Sequence, residues 1–157
     1  MTRATAALKR PRVALLEDGF LATIAALFVA SFLAATLLPG GSEAMLAALV
    51  LDQPAMSWVW LAVATVGNTL GSLTSWVIGR ILRRRLGTPA GLKPAQRRAL
   101  ERLQKWGAPA LLLAWLPVVG DPLCLAAGWL GTPWLPTVLY VAMGKAARYL
   151  LLVWALL

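Results

Sequence analysis

Leu113-Ala-Trp-Leu-Pro-Val-Val-Gly-Asp-Pro-Leu-Cys-Leu-Ala-Ala-Gly-Trp-Leu130 is almost wholly apolar, yet Pro117, Gly120, Asp121 and Pro122 interrupt its middle. A plain spanning helix avoids a carboxylate and two prolines so close together, because in hydrocarbon every freed backbone group and every charge needs a protein or water partner. A broken apolar segment that carries an acid is therefore a candidate site. Asp121-Pro122 also reads as a helix restart, with Asp121 as N-cap and Pro122 at the first helical position.

The chain around it is that of a membrane protein. Its 157 residues are 60% hydrophobic and 13% charged, with eight tryptophans and a mean hydropathy of +0.74. Long charge-free runs of this kind predict several membrane segments. The net charge of +9 is clumped. Arg3, Lys9, Arg10 and Arg12 open the chain, and Arg80, Arg83, Arg84, Arg85, Lys93, Arg97, Arg98, Arg102 and Lys105 crowd its centre. Both clusters flank apolar runs, so the positive-inside rule accounts for them better than nucleic acid does. The N-terminus and loop 80–105 are both expected in the cytoplasm, and no nucleic-acid partner is expected. With one cysteine and no histidine, an internal disulfide, a Cys/His zinc site and histidine catalysis are excluded. Cys124 reads as a small packing residue.

Taken in order, residues 1–18 are a basic lead-in whose Glu17 and Asp18 depart from a signal-peptide pattern, so it is expected to be retained. Gly19 to Leu38 is apolar and long enough to span. Pro39, Gly40 and Gly41 then break the helix, with Ser42 expected as the N-cap of a short piece, Ala44 to Leu51, and Glu43 in its first turn. Trp58 to Gly79 is the cleanest span, with Trp58 and Trp60 as interfacial anchors and Arg80 at the far end. Within it, Gly67 and Gly71 have the GxxxG spacing that lets another helix approach closely, and the amide of Asn68 must find a partner. Pro94 to Trp106 is predicted to be an amphipathic helix on the cytoplasmic surface, with Ala99, Leu100, Leu103 and Trp106 on its apolar face against lipid headgroups. Trp106 to Gly120 is expected as a helix too short to cross alone, and 106–131 either crosses or re-enters. Trp134 to Leu157 is the last span, carrying Lys145 and Arg148 near its middle on one face.

The two breaks match. Leu38-Pro39-x-x-x-Glu43 aligns with Leu116-Pro117-x-x-x-Asp121, and Gly67-Asn68 with Gly144-Lys145. Broken helices at corresponding positions of two halves, 19–79 and 106–157, point to a transporter-like site in a single membrane domain over 19–157. The polar set at membrane depth is Glu43, Asn68, Asp121, Lys145 and Arg148, with Ser42 and Thr69 nearby. In the plainest reading the acids cap short helices and the cations neutralise them. In the functional reading Arg148, Lys145 and Asn68 hold an anionic headgroup, helped by two helix N-termini. Glu43 or Asp121 would carry a proton, since low dielectric favours a carboxyl's neutral form. The same set suits a lipid transporter, a small ion or proton transporter, or a membrane scaffold that transports nothing. There is no nucleophile–base pair and no metal set, so neither an enzyme nor a cofactor is expected. Membrane lipids are the expected partners, and a homo-oligomer is compatible with the sequence.

Pro39-Gly-Gly-Ser-Glu43, Gly67-Asn-Thr-Leu-Gly71, Ile78-Gly79-Arg80, Trp115-Leu-Pro-Val-Val-Gly-Asp-Pro-Leu123, Ala127-Gly128-Trp129 and Gly144-Lys145-x-x-Arg148-Tyr149 together resemble the DedA/VTT superfamily, and within it the short YqaA-like branch of bacterial inner-membrane proteins. The resemblance implies an all-α integral membrane fold. Two re-entrant helical hairpins face each other, each followed by a spanning helix. It further implies lipid translocation, on undecaprenyl phosphate in some bacterial members and by phospholipid scrambling in some eukaryotic ones, with proton coupling. Glu43 matches the family's acidic residue in the first hairpin. Larger members carry arginine in a second-hairpin Pro-x-x-Arg motif. Here Pro117-Val-Val-Gly120 lacks it and Asp121 follows, which leaves Arg148 of the next helix as the candidate substitute.

Overall fold

The computed structural model describes residues 19–35, 41–86, 94–116 and 119–157. Expectations for residues 1–18, for Pro39, Gly40 and Pro117, and for the side chains of Ala99 and Leu100 lie outside the described residues. All the regular elements described are helical: α1 (Gly19–Ala34), α2 (Gly41–Asp52), a 3-10 turn (Pro54–Met56), α3 (Ser57–Leu86), α4 (Pro94–Trp106), a 3-10 segment (Ala108–Trp115), α5 (Gly120–Leu130) and α6 (Trp134–Leu156). Two stretches, Pro54–Arg85 and Trp134–Leu156, are long and apolar enough to cross a membrane. At ~1.5 Å per residue α3 extends about 45 Å, whereas α2 and α5 each cover less than about 20 Å.

Side-chain contacts fix the directions. The Phe20 and Trp60 rings lie 5.6 Å apart. Farther along, Gly67 faces the Phe28 carbonyl and Gly71 the Phe32 carbonyl, so α1 runs parallel to α3. The GxxxG pair therefore packs helix against helix, as its spacing suggests: a Cβ on Gly67 would sit 2.6 Å from the Phe28 oxygen. α2 begins beside α6 at Ser42 and ends at Asp52, just before α3, so α1 and α2 leave and return to the Trp60 end. In the other half the 3-10 segment advances alongside α6, with Leu112 against Gly144 and Trp115 against Arg148. α5 then returns along α3. Gly79 faces Leu125, Gly128 faces Trp76, and Arg83 Nη1 donates to the Leu130 carbonyl at 2.7 Å. α6 finally runs antiparallel to α3.

Two apolar cores result. One gathers Leu27, Leu46, Val50, Trp60, Ala64, Tyr149 and Val153 from α1, α2, α3 and α6. The other gathers Leu103, Ala110, Leu111, Ala114, Leu123, Cys124, Ala126, Ala127 and Val141 from α4, the 3-10 segment, α5 and α6. Outside them the long helices expose large apolar residues, among them Trp58, Leu139, Met143 and Trp154, a surface that suits lipid and not water.

Several local expectations are corrected. Trp60 is fully buried and packs the first core, so only Trp58, 70% exposed, projects as an anchor would. Ser42 does not cap α2, because the helix already includes Gly41 and the Ser42 hydroxyl turns to Tyr149. Gly41 is the first described residue of α2. Asp121 is not an N-cap either. α5 starts at Gly120 with Val119 before it, which moves Asp121 and Pro122 into the first turn, where a proline lacking its N–H is still tolerated. Gly120 is needed there because a Cβ would strike the Ala114 carbonyl. The helix expected from Trp106 onward is absent: Gly107, at φ 66, ends α4, and a 3-10 segment follows. α4 has its expected bounds, but Leu103 packs into the second core while Trp106 is exposed, so its apolar face covers protein at least there.

The contacts also order the two ends of α3. The contacts put Phe20 beside Trp60 and Arg83 beside Leu130, at opposite ends of α3. Residues 19–83 thus travel a net single length of α3, and Gly19 does not share an end with Arg80–Arg85.

Candidate functional site

α6 carries the centre of the site. Lys145, Arg148 and Tyr149 are three and four residues apart, so a helix places them on one side. They face α3, α2 and the end of the 3-10 segment, where the two apolar cores meet: Trp60 and Ala64 lie before Asn68 along α3, and Trp76 lies after it.

Lys145 is buried, and its Nζ donates to Asn68 Oδ1. Asn68 Nδ2 donates to Tyr149 Oη at 2.6 Å, and the Ser42 hydroxyl shares a hydrogen bond with the same phenol at 3.0 Å. One polar chain, Lys145–Asn68–Tyr149–Ser42, thereby joins α6, α3 and α2. The sequence demanded a partner for Asn68, and burial explains why it has two: an unpaired amide in an apolar interior costs several kcal/mol, roughly 2–7 by transfer scales.

Arg148 spans both breaks. Its Nε pairs with Glu43 Oε1 just after the first, and its Nη1 donates to the Trp115 carbonyl, just before the second, at 2.9 Å. The pair is only partly shielded, at 22% and 28% side-chain exposure. Asp121 is placed differently. Ser72 of α3 donates to its Oδ1 at a long 3.4 Å, and among the described residues no cation lies within ion-pair distance of it. Lys145 acts on it electrostatically from farther away. Cys124, one turn along α5, is a buried free thiol in the core, as expected.

The structure thus gathers Glu43, Asn68, Lys145 and Arg148 into one cluster, with Asp121 at its margin. Arg148 faces the first acid, not the second. Gly41, Gly120 and Pro122 lie in the first turns of the two short helices, and the buried Thr69 hydroxyl has no hydrogen-bond partner among the described residues. Tyr149 was not among the sequence candidates. Its signal was its place four residues after Lys145, on the same helical face. Chemically the set offers two cations, two carboxylates, an amide and hydroxyls. It can exchange an internal ion pair for an anionic ligand and hold a proton on a carboxyl.

The model of the VTT domain matches residues 38–156, three quarters of the chain and all of the site. "Inner membrane protein YqaA" of Escherichia coli K12 is 46% identical over 123 residues, 78% of this chain and 83% of that protein. A Haemophilus influenzae protein described as "Uncharacterized protein" is 38% identical over 136 residues, 80% of this chain and 82% of its own length. No solved structure matches.

Proposed function

Because the chain belongs to the VTT-domain (DedA) family of membrane proteins, we propose that it moves an anionic, phosphate-bearing lipid across a bacterial inner membrane, as a flippase or scramblase does. The location rests on the name of its Escherichia coli relative. Both short hairpins are re-entrant in this reading. α1–α2 and the 3-10 segment–α5 enter from opposite sides, each is followed by a span, and residues 19–79 and 106–157 form an inverted repeat. Loop 80–105, rich in arginine and lysine, faces the cytoplasm, which puts the end of α6 on the other side.

The carrying observation is Arg148, held between Glu43 of α2 and the Trp115 carbonyl of the 3-10 segment. A guanidinium binds phosphate oxygens two at a time, so a headgroup can take the place of Glu43 on Arg148. Lys145 and Asn68 lie alongside to complete the contact. Glu43, released from its counter-charge, takes up a proton, and Asp121 offers a second acceptor on the far hairpin. The lipid's tails remain in the hydrocarbon beside the exposed apolar faces of α3 and α6.

The test is a lipid-flip assay on the reconstituted full chain with a fluorescent anionic phospholipid. Arg148→Ala and Glu43→Gln each lower the rate at least about tenfold, the equivalent of one charge-assisted contact. Wild-type rates in both variants sink the site assignment. A scaffold role draws support from the mutual pairing of the cluster, which needs no ligand to be satisfied. It gains if both variants lose thermal stability but transport normally. Proton or ion flux in vesicles without lipid movement would favour the small-ion alternative.

A further inference from the structure

At the Arg80 end of α3 lie two cavities that the central site does not use. One, about 290 Å³, is lined by Arg80, Arg83, Arg84 and Gly131. The other, about 530 Å³, is lined by Trp76, Arg80, Gly131, Pro133 and Trp134. They share Arg80 and Gly131, so they form one groove with a basic end and an aromatic end. It runs between the last turns of α3 and the α5–α6 turn, where two apolar helices long enough to span begin or end.

The groove is built, not a loose fringe of charge. Trp76 Nε1 donates to the Thr132 hydroxyl at 3.2 Å, and the Arg80 guanidinium lies 5.2 Å from the Trp76 ring centre. Arg83 Nη1 caps the Leu130 carbonyl at the C-terminus of α5, which fixes the guanidinium and leaves its other N–H groups to turn outward. Gly131, at φ 76, holds the turn, and a Cβ there would collide with Arg83. Among the described residues, none of Arg80, Arg83 and Arg84 has a carboxylate within ion-pair distance. Three guanidinium groups gathered beside two tryptophans at the end of a span make a phosphate receptor next to an acyl-chain surface.

We infer that this groove binds the phosphate of an anionic phospholipid at the membrane interface, with Arg80, Arg83 and Arg84 on the headgroup and Trp76 and Trp134 against its glycerol and upper chain. A phosphate oxyanion can also come from free inorganic phosphate. The aromatic end favours the lipid. The inference needs only a membrane location and does not rest on lipid transport.

The test measures binding to the resting full chain in neutral detergent, by thermal unfolding at fixed ionic strength. Short-chain phosphatidylglycerol, phosphatidylcholine of the same chain length and inorganic phosphate are the probes. Phosphatidylglycerol should raise the melting temperature saturably, and the other two should not. Arg84→Gln, at an exposed residue whose side chain makes no hydrogen bond among the described residues, should weaken that binding about tenfold without changing the unliganded melting temperature. Arg148→Ala should keep it, which separates the groove from the central cluster. An equal shift from phosphatidylcholine or from inorganic phosphate, or undiminished affinity in Arg84→Gln, overturns the inference.

Discussion

Glu43, after the first break, is ion-paired with Arg148, whereas Asp121, after the second, receives the Ser72 hydroxyl at 3.4 Å and no cation among the described residues. Both acids stand in the first turn of a short helix, where the helix dipole favours a negative charge. α6 supplies both nearby cations, yet it commits them unequally. Arg148 reaches the first break directly, while Lys145 donates to Asn68 and touches the second break only through its field. Two halves that read alike in sequence are therefore unlike in chemistry: one is locked by a counter-charge and the other is held by a hydroxyl.

The packing of the halves differs in the same sense, and that difference gives the largest expected effect. A methyl at Gly128 would drive into the Trp76 carbonyl, with no flexible side chain to yield. Gly128→Ala should destabilise by about 3 kcal/mol, the upper range for overpacking. Gly67→Ala, 2.6 Å from a carbonyl of α1, should cost nearer about 1.5 kcal/mol. Thermal unfolding in detergent ranks the two, and the reverse order would mean that the first half is the tighter one.

Asn68→Ala should come next, at about 2 kcal/mol, because it leaves the buried Lys145 and the Tyr149 phenol each short of a partner. Tyr149→Phe removes the bridge to Ser42 and should cost about 1 kcal/mol in the same measurement. The smallest effects belong to the acids themselves. Glu43→Gln and Asp121→Asn should each change stability by less than about 1 kcal/mol, the first because its pair is partly exposed, the second because its bond from Ser72 is long. A lipid-flip rate that falls for Glu43→Gln and holds for Asp121→Asn would sharpen the contrast between the halves. An equal fall in both would erase it.

The sequence was most readable where one physical rule acts alone. The amphipathic period gave α4 its bounds, and the charge-free run ending at Arg80 gave the core of α3. GxxxG gave the approach of α1. Reading failed where two rules compete. Ser42 and Asp121 have cap-forming side chains, but each meets a hydroxyl on another helix, that of Tyr149 and of Ser72, and each helix already includes the residue before it, Gly41 and Gly120. Trp60 was misplaced because tryptophans near a helix end serve equally as anchors or as core, and only the presence of Phe20 and α2 decides. The pairing of Arg148 with Glu43 and not Asp121 depends on which of the two acids lies nearer the later turn of α6, a distance that no spacing along the chain encodes.

The glycine contacts on α3 have a consequence for motion. α3 is gripped by backbone on both sides, by α1 at Gly67 and Gly71 and by α5 at Gly79 and Gly128. Contacts without intervening side chains cannot be compressed or re-rotamered, so these three helices ride as a single keel. At the centre of the site α6 meets that keel through the hydrogen bonds of Asn68 with Lys145 and Tyr149, which can be broken and remade. Any displacement of α6 along α3 would have to break the hydrogen bond that Lys145 donates to Asn68.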